Sequence, residues 1–315
     1  MRIIFAGTPP MAVPSLEKIA RNPGVVAVLT APDAPAGRNR TLYSSAVKQA
    51  AMALGIPVLT PAVLDETARS TVRTLAPDLL VVVAYGKIFK KSFLDLFPRG
   101  GINVHPSVLP RHRGPSPITA AILAGDRETG VTVQKLAMRF DTGDILAQVR
   151  IPLDGTETTG SLTGSLSAVG AEQLYGVIAD MEAGRPAAAA EQDESQASYC
   201  RLVRKEDGLI SWAEPAAVIE RKVRAYDPWP RTSTTLGGTS LLLLKSSVHP
   251  GTLPNAAHEP VPGDVVAANG EHGILVQTGQ GILRIERLQL QFKKPMDWRS
   301  FLNGRPDLLG MRLGN

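Results

Sequence analysis

The stretch Gly101-Ile-Asn-Val-His-Pro-Ser-Val-Leu-Pro110 largely determines the fold that we expect for this chain. In its first half, apolar residues alternate with Asn103 and His105, a period of two that is typical of a β-strand with both polar side chains on one face. Pro106 has no backbone N–H to donate, so it ends the strand directly after His105. Because open parallel sheets bind ligands at the carboxyl ends of their strands, we expect Asn103 and His105 to lie in a functional site.

The polar residues of this region suggest acid–base chemistry. The Asn103 amide can donate a hydrogen bond to a developing oxyanion, and the His105 imidazole can transfer protons near neutral pH. A second polar run, Asp141-Thr-Gly-Asp144, joins two segments that are typical of strands, although either aspartate could simply form the turn. An isolated Asn-x-His pattern is more often a hydrogen-bonded histidine at a strand end, so its interpretation depends on the surrounding sequence.

Strand-like and helix-like segments alternate over the first hundred residues. The segment 78–84 contains three consecutive valines and is typical of a central strand that is buried on both faces. This alternation predicts an α/β fold with a Rossmann-like, doubly wound parallel sheet. The turn at residues 7–10 lacks the GxGxxG pattern, and the second predicted strand ends at Thr30-Ala31-Pro32 without a suitably placed acidic residue, which disfavours a nicotinamide-dependent dehydrogenase.

The carboxyl-terminal third has a different pattern. Residues 184–198 are rich in alanine and then in charged and amide side chains, which predicts a solvated linker. After a predicted helix over residues 216–226, several short strand-like runs follow, which predict a small β-barrel of the OB-like kind. We therefore expect a first domain over residues 1–188, a linker over 189–207 and a barrel over 208–315.

The composition is that of a globular protein. The 315 residues are 43% hydrophobic and 20% charged, and this length suggests two domains. The single cysteine excludes an internal disulfide framework, and no apolar run approaches the roughly 20 residues that span a bilayer. We expect a cytoplasmic monomer without a membrane contact. The formal charge of +5 is compatible with a polyanionic partner but does not require one.

Two motifs resemble the signature of the folate-dependent formyltransferases. They are the run from Asn103 to Gly114 and the later Phe140-Asp-Thr-Gly-Asp-Ile145. These enzymes transfer a formyl group from 10-formyltetrahydrofolate to an amine, so the resemblance implies this folate as co-substrate. It also implies Asn103, His105 and Asp141 as catalytic residues, with Asp141 chosen over Asp144 because the family's aspartate directly precedes x-Gly. The histidines lack the spacing of a metal site, and we expect no metal.

The resemblance also implies a pocket for the folate, formed largely by backbone groups. Residues 81–88 are close to the family's pattern for the pterin site, although Tyr85 and Ile88 could equally belong to the core. The residues that we expect to contact folate are Tyr85, Gly86, Ile88, Ser107, Val108, Leu109 and Pro110.

A loop near the amino terminus suggests the acceptor. Its string Pro32-Asp-Ala-Pro-Ala-Gly-Arg38 resembles the insertion by which methionyl-tRNA formyltransferases reach the acceptor end of tRNA. Arg38 and Arg40 carry guanidinium groups that suit phosphate contacts, and the implied acceptor is initiator methionyl-tRNA. Sugar-nucleotide N-formyltransferases are an alternative, although they lack the Pro-Ala-Gly-Arg loop. A 10-formyltetrahydrofolate hydrolase is another, and it would release formate without an amine acceptor.

The second half of the chain carries further resemblance and further positive charge. Residues 226–230 and 207–212 are similar to strings of the same family, so the resemblance covers nearly the whole chain. Three local clusters of basic side chains could contact RNA, although each also fits a solvated surface. They are Arg201 with Arg204 and Lys205, the expected exposed face of Arg221, Lys222 and Arg224, and Lys293 with Lys294.

Overall fold

The computed structural model describes residues 1–21, 24–36, 41–185, 189–251 and 259–314, which form two compact units. The first unit consists of Met1–Pro117, Glu128–Pro152 and Leu162–Arg201. The second consists of Ile118–Arg127, Leu153–Ser161 and the chain from Leu202 onward. Two short stretches ahead of residue 162 therefore belong to the second unit. The domain limits that the sequence suggests at residues 188 and 208 stay predictions.

A seven-stranded sheet organises the first unit, in the order β5-β2-β1-β6-β7-β8-β9. The pairs among its first five strands are parallel, β8 is antiparallel to β7, and β9 is antiparallel to β8. The predicted parallel sheet is confirmed, with two antiparallel strands added at one edge. The strands are β1 (Ile3–Gly7), β2 (Val25–Leu29), β3 (Ala34–Ala36), β4 (Thr41–Tyr43), β5 (Val58–Leu59), β6 (Leu79–Val83), β7 (Gly101–His105), β8 (Glu128–Lys135) and β9 (Ile145–Pro152); β3 and β4 pair separately.

Burial follows from the side chains of these strands. Every residue of β1 and of β6 is buried, as expected for apolar strands that are covered on both faces. Two helices begin where a polar side chain caps the first turn. The side chains of Ser45 and Asp65 accept backbone hydrogen bonds just before the helices that start at Ala46 and Glu66. The helices up to residue 182 are α1 (Val13–Ile19), α2 (Ala46–Ala53), α3 (Glu66–Thr74), α4 (Lys91–Leu94), α5 (Pro117–Ala124) and α6 (Thr159–Glu182). Among the described helices, none is long and apolar enough to cross a membrane.

The second unit is built on an antiparallel sheet of six strands, in the order β10-β11-β14-β13-β12 with β15 beside β14. Near the carboxyl terminus, Leu313 pairs with Leu236 at the end of β10, and Arg312 pairs with Asp264 just before β12. This segment bridges the two outer strands. The small β-rich domain, which the sequence predicts as an OB-like barrel, is confirmed as an antiparallel strand domain. Its elements are α7 (Ala216–Ala225), β10 (Thr232–Leu236), β11 (Thr239–His249), β12 (Val265–Asn269), β13 (Gly273–Gln277), β14 (Ile282–Leu290), β15 (Met296–Asp297) and α8 (Trp298–Asn303).

Candidate active site

Strand β7 carries two of the predicted site residues to the edge of the parallel sheet. It ends at His105, as the sequence predicts, and Pro106 lies outside it. Side chains alternate along a strand, so those of Asn103 and His105 lie on the same face. On the antiparallel neighbour β8, Gln134 is opposite Asn103, and Thr132 is opposite His105. Gln134 therefore lies beside Asn103 on the face that carries the site.

The Asp141 carboxylate lies among these side chains. Its Oδ1 accepts a hydrogen bond from Gln134 Nε2 at 2.9 Å, and its Oδ2 accepts one from the Gly114 backbone N–H at 2.9 Å. Asn103 Nδ2 and His105 Nδ1 are each 3.5 Å from Oδ1. The structure thus brings the three predicted catalytic residues, Asn103, His105 and Asp141, together around one carboxylate oxygen.

The two aspartates of the loop have different surroundings. Asp144 forms an ion pair with Lys135 at 2.9 Å, and both side chains are more than one third exposed. Asp141 has a φ of 54°, in the left-handed region that few non-glycine residues adopt. Gly143 is required in the same loop because a Cβ there would come within 1.8 Å of the Lys135 carbonyl oxygen. The loop is therefore sharply turned, and only Asp141 reaches the site.

His105 is buried, with 4% of its surface exposed. Its Nε2 is 3.0 Å from the His112 carbonyl oxygen. A carbonyl oxygen can only accept, so Nε2 carries the proton, and in the neutral ring Nδ1 has the lone pair. Burial lowers the pKa of His105, and the nearby Asp141 carboxylate opposes that shift. We therefore describe His105 as a neutral imidazole whose Nδ1 faces the site.

The predicted folate contacts after β7 lie mostly inside the protein. Ser107, Val108 and Leu109 are buried, whereas Pro110 is half-buried. The Ser107 hydroxyl donates to the Arg111 carbonyl at 2.7 Å, and the Leu109 N–H is 3.2 Å from the Thr132 hydroxyl oxygen. These polar groups are engaged within the fold, so this loop is held in place by its own contacts.

The predicted contacts after β6 divide into two groups. The Tyr85 ring is buried and stacks on Phe89, with ring centroids 5.4 Å apart, and burial raises the pKa of Tyr85 to about 12. Its side chain belongs to the core, which is the alternative that the sequence left open. Gly86 and Ile88 are exposed, and Gly86 has a φ of 82° with open space where a Cβ would lie.

Sequence reasoning missed three residues of the site, namely Gln134, Arg113 and Gln192. Gln192 lies in the segment predicted to be a solvated linker, yet its Nε2 donates to the carbonyl oxygens of Asp141 at 2.9 Å and Gly143 at 2.7 Å. The solvated interpretation is therefore wrong for this part of the segment. Gln134 and Thr132 alternate with valines in a strand-like segment, so the sequence could have placed Gln134 on the polar face of that strand. No local pattern identifies the partners of Arg113 and Gln192.

The predicted RNA contacts have mixed outcomes. Arg38 and Arg40 lie outside the described residues. On α7, Lys222 is paired with Glu214, and Arg224 is paired with Glu220 at 2.6 Å, with all four side chains less than one third exposed. The expected exposed basic face is therefore wrong for these two cations. Lys293 and Lys294 are exposed, between β14 and β15.

Within the described ranges, no three His, Cys, Asp or Glu side chains are grouped so that they could hold a metal ion. The expectation that the site uses no metal stays a prediction.

Two family models match the chain. The formyl transferase model matches residues 1–178, and the model of the formyl transferase C-terminal domain matches residues 202–306. The methionyl-tRNA formyltransferase of Treponema denticola is 44% identical and covers 98% of this chain and 98% of its own length. That of Treponema pallidum strain Nichols is 48% identical, over 100% of this chain and 99% of its own. The similarity therefore extends over both units.

More distant solved structures share the fold. An N-formyltransferase from Helicobacter canadensis, in complex with folinic acid and dTDP-3-aminofucose, has a TM-score of 0.66 and 19% identity, over 93% of this chain and 100% of that one. HypX from Aquifex aeolicus, in complex with tetrahydrofolic acid, has a TM-score of 0.61 and 16% identity. It covers 98% of this chain, which corresponds to 48% of HypX. At such low identities, these similarities show the fold alone.

Proposed function

This chain belongs to the formyl transferase family, and we infer that it transfers a formyl group from a folate-derived donor to the amino group of methionyl-tRNA. The observation that carries this conclusion is the identity of 44% and 48% to methionyl-tRNA formyltransferases over nearly the full length of both chains. The N-formyltransferase from Helicobacter canadensis, whose structure contains dTDP-3-aminofucose, is only 19% identical, which makes a sugar nucleotide the less favoured acceptor.

We propose that the donor is 10-formyltetrahydrofolate and that Asn103, His105 and Asp141 perform the transfer. The acceptor nitrogen attacks the formyl carbon, and the negative charge that develops on the formyl oxygen is stabilised by a hydrogen bond from the Asn103 amide. At 3.5 Å, the Asn103 amide is held only weakly by Asp141 and can turn towards this oxygen.

In the same proposal, His105 Nδ1 takes the proton that the acceptor nitrogen loses. Nε2 already donates to the His112 carbonyl, so Nδ1 is the ring nitrogen left for this step. Asp141 Oδ1, 3.5 Å away, stabilises the imidazolium that results. The bond between the formyl carbon and the folate nitrogen then breaks, and His105 returns the proton to that nitrogen. The products are formylmethionyl-tRNA and tetrahydrofolate.

The folate pocket belongs to the proposal as well. The exposed residues Gly86 and Ile88 offer open backbone and apolar surface for a flat ring. The loop of Ser107, Val108, Leu109 and the half-buried Pro110, held by its own contacts, gives one wall a fixed shape. Tyr85 supports this region from the core through its stack on Phe89.

We further propose that the acceptor is the initiator species and that Arg38 and Arg40 contact its phosphates. A monomeric state and a cytoplasmic location complete this proposal. Charge-assisted contacts to phosphate predict that the affinity for tRNA falls steeply as the salt concentration rises.

The test compares acceptors under identical conditions. Formyl transfer from 10-formyltetrahydrofolate is measured to charged initiator tRNA, free methionine, an amino-sugar nucleotide and water. We expect transfer to the tRNA alone, and activity on a small acceptor with none on the tRNA would overturn the proposed function. In the same assay, Arg38→Ala should weaken the use of tRNA by about 1–3 kcal/mol without changing the folate KM. Arg73→Ala, which removes an arginine that is paired with Glu66 on the surface of α3, is the control and should behave as wild type.

A further inference from the structure

A buried arginine next to the site has its partners, among the described residues, in the segment that follows α6. Arg113 has 0% of its surface exposed, and a buried guanidinium is unfavourable unless its N–H groups are paired. Its Nε and Nη2 donate to Gln192 Oε1 at 3.0 and 2.8 Å. Its Nη1 and Nη2 donate to the Glu194 carboxylate at 3.0 and 2.7 Å, and Nη1 also donates to the Tyr199 hydroxyl at 3.0 Å. These five bonds account for the five N–H groups of a guanidinium.

This arrangement fixes the orientation of the Gln192 amide. A guanidinium can only donate, so the amide oxygen of Gln192 must face Arg113 and its NH₂ group must face away. The NH₂ group donates to the carbonyl oxygens of Asp141 at 2.9 Å and Gly143 at 2.7 Å. It is also 3.2 Å from Gln134 Oε1. Gln192 therefore connects a buried cation to the backbone of the turn that carries Asp141.

The turn needs such support. Asp141 has a left-handed backbone, and its carbonyl accepts the Gln192 hydrogen bond. Through Gln134, the same amide also orients the group that donates to Asp141 Oδ1 at 2.9 Å. Gln192 thus acts on both the main chain and the carboxylate of Asp141, although it contacts neither Asn103 nor His105 in these bonds.

Main-chain bonds hold the segment itself in place. The Arg113 N–H donates to the Ser198 carbonyl at 2.8 Å, and the Cys200 N–H donates to the Arg113 carbonyl at 2.8 Å. The His112 N–H donates to the Ser198 hydroxyl at 2.9 Å. Because the His112 carbonyl accepts from His105 Nε2, the segment also steadies the residue that sets the His105 tautomer.

We propose that Gln192, oriented by Arg113, is a positioning residue that holds the Asp141 carboxylate beside His105 Nδ1 during formyl transfer. This role rests on the proposed function, since Asp141 acts there by stabilising the His105 imidazolium. The segment after α6, which belongs to the first unit, is then part of the active site.

The test begins with Gln192→Ala. We expect kcat to fall about 10- to 100-fold, the scale of a small displacement of a reacting group, whereas both KM values stay within about threefold. The matched control is Gln196→Ala, an exposed amide of the same segment that bonds only to Asp193 in the described contacts, and it should retain wild-type kcat. If Gln192→Ala fails to fold, Gln192→Glu keeps an acceptor for Arg113 and loses the donors to the turn, and it should show the same loss of kcat.

A double-variant cycle separates positioning from a general structural effect. If Gln192 acts through Asp141, adding Gln192→Ala to Asp141→Asn should reduce kcat by less than about threefold more. Losses that multiply in the double variant, or a Gln192→Ala kcat equal to that of wild type, would overturn the proposal.

An NMR titration of His105 in the free protein gives a readout that needs no substrate. Displacement of Asp141 should lower the His105 midpoint in Gln192→Ala, because the carboxylate then stabilises the imidazolium less. An unchanged midpoint would overturn the positioning role whatever the substrate proves to be. Inactivity of the wild type towards methionyl-tRNA, together with a lowered midpoint in the variant, would instead overturn the proposed function alone.

Discussion

Replacing Asp141 by asparagine removes one charge at nearly constant shape and should remove most of the turnover. Asp141 Oδ1 is 3.5 Å from His105 Nδ1. At this distance two unit charges attract by about 5 kcal/mol for an effective dielectric constant near 20. In addition, Gln134 Nε2 and the Gly114 N–H both donate to the Asp141 carboxylate. The NH₂ group of an asparagine would have to face one of these two donors, and that hydrogen bond would be lost. Solvent compensates part of the lost stabilisation of the imidazolium, and we expect kcat to fall about 10²- to 10³-fold.

The pH profile of the same variant should shift in a definite direction. Burial lowers the pKa of His105 below its ordinary value, and Asp141 opposes that shift. Without the carboxylate, the pKa of His105 should fall further. Since His105 must be neutral to accept a proton, the acid limb of kcat/KM should move to lower pH. The acceptor amine titrates as well, but identically for both enzymes, so the difference between the two profiles reports His105.

The assay is steady-state formyl transfer to methionyl-tRNA across pH 5 to 8, with Asp144→Asn as the matched control. Asp144 is in the same loop but pairs with Lys135 at the surface. Exposed ion pairs contribute about 1 kcal/mol or less, so the control should stay within about fivefold of wild type. A greater loss in Asp144→Asn than in Asp141→Asn, or an acid limb that moves to higher pH in Asp141→Asn, would refute this role of Asp141.

Two further predictions concern stability and are measured by urea unfolding. Gly114→Ala should destabilise the protein by about 2 kcal/mol or more, because φ is 116° there and a Cβ would lie 2.3 Å from the Cys200 carbonyl oxygen. Its control, Gly176→Ala on α6, meets nothing within 4 Å and should stabilise by about 0.5–1 kcal/mol; equal effects at the two sites would contradict the argument. Phe292→Gly should stabilise by about 0.5 kcal/mol, because relief of left-handed strain exceeds the added flexibility of the unfolded chain. Phe292 has a φ of 64° and is 91% exposed, and a marked loss of stability would show that its ring makes contacts.

Local periodicity predicted most of the elements of this chain because it records which side of each element is apolar. The strand that ends at His105 and the buried strand β6 both follow from the pattern of apolar residues alone. The choice between Asp141 and Asp144 could not be made in this way, since both residues suit a turn. It required the resemblance to a family, and in the structure only Asp141 has its carboxylate beside His105.

Charge patterns predicted the exposure of basic side chains less well, because they carry no information about partners that are distant in the sequence. Lys222 and Arg224 suggested an exposed basic face, yet Glu214 and Glu220 neutralise them. Arg113 lies in a run of basic residues, yet it is fully buried because residues about eighty positions later supply acceptors for its guanidinium. Such pairs become visible only when the fold brings the two segments together.

The register of β7 against β8 determines which polar side chains meet in the site. Asn103 lies opposite Gln134 because apolar residues of both strands fill the other face, including Val104 opposite Val133. A slip of one residue would turn the Gln134 side chain to that apolar face and leave Asp141 Oδ1 without its closest donor. The same slip would bury an amide among valines without a partner, which is strongly unfavourable. Packing of the apolar face therefore selects the register in which the polar face is assembled for chemistry.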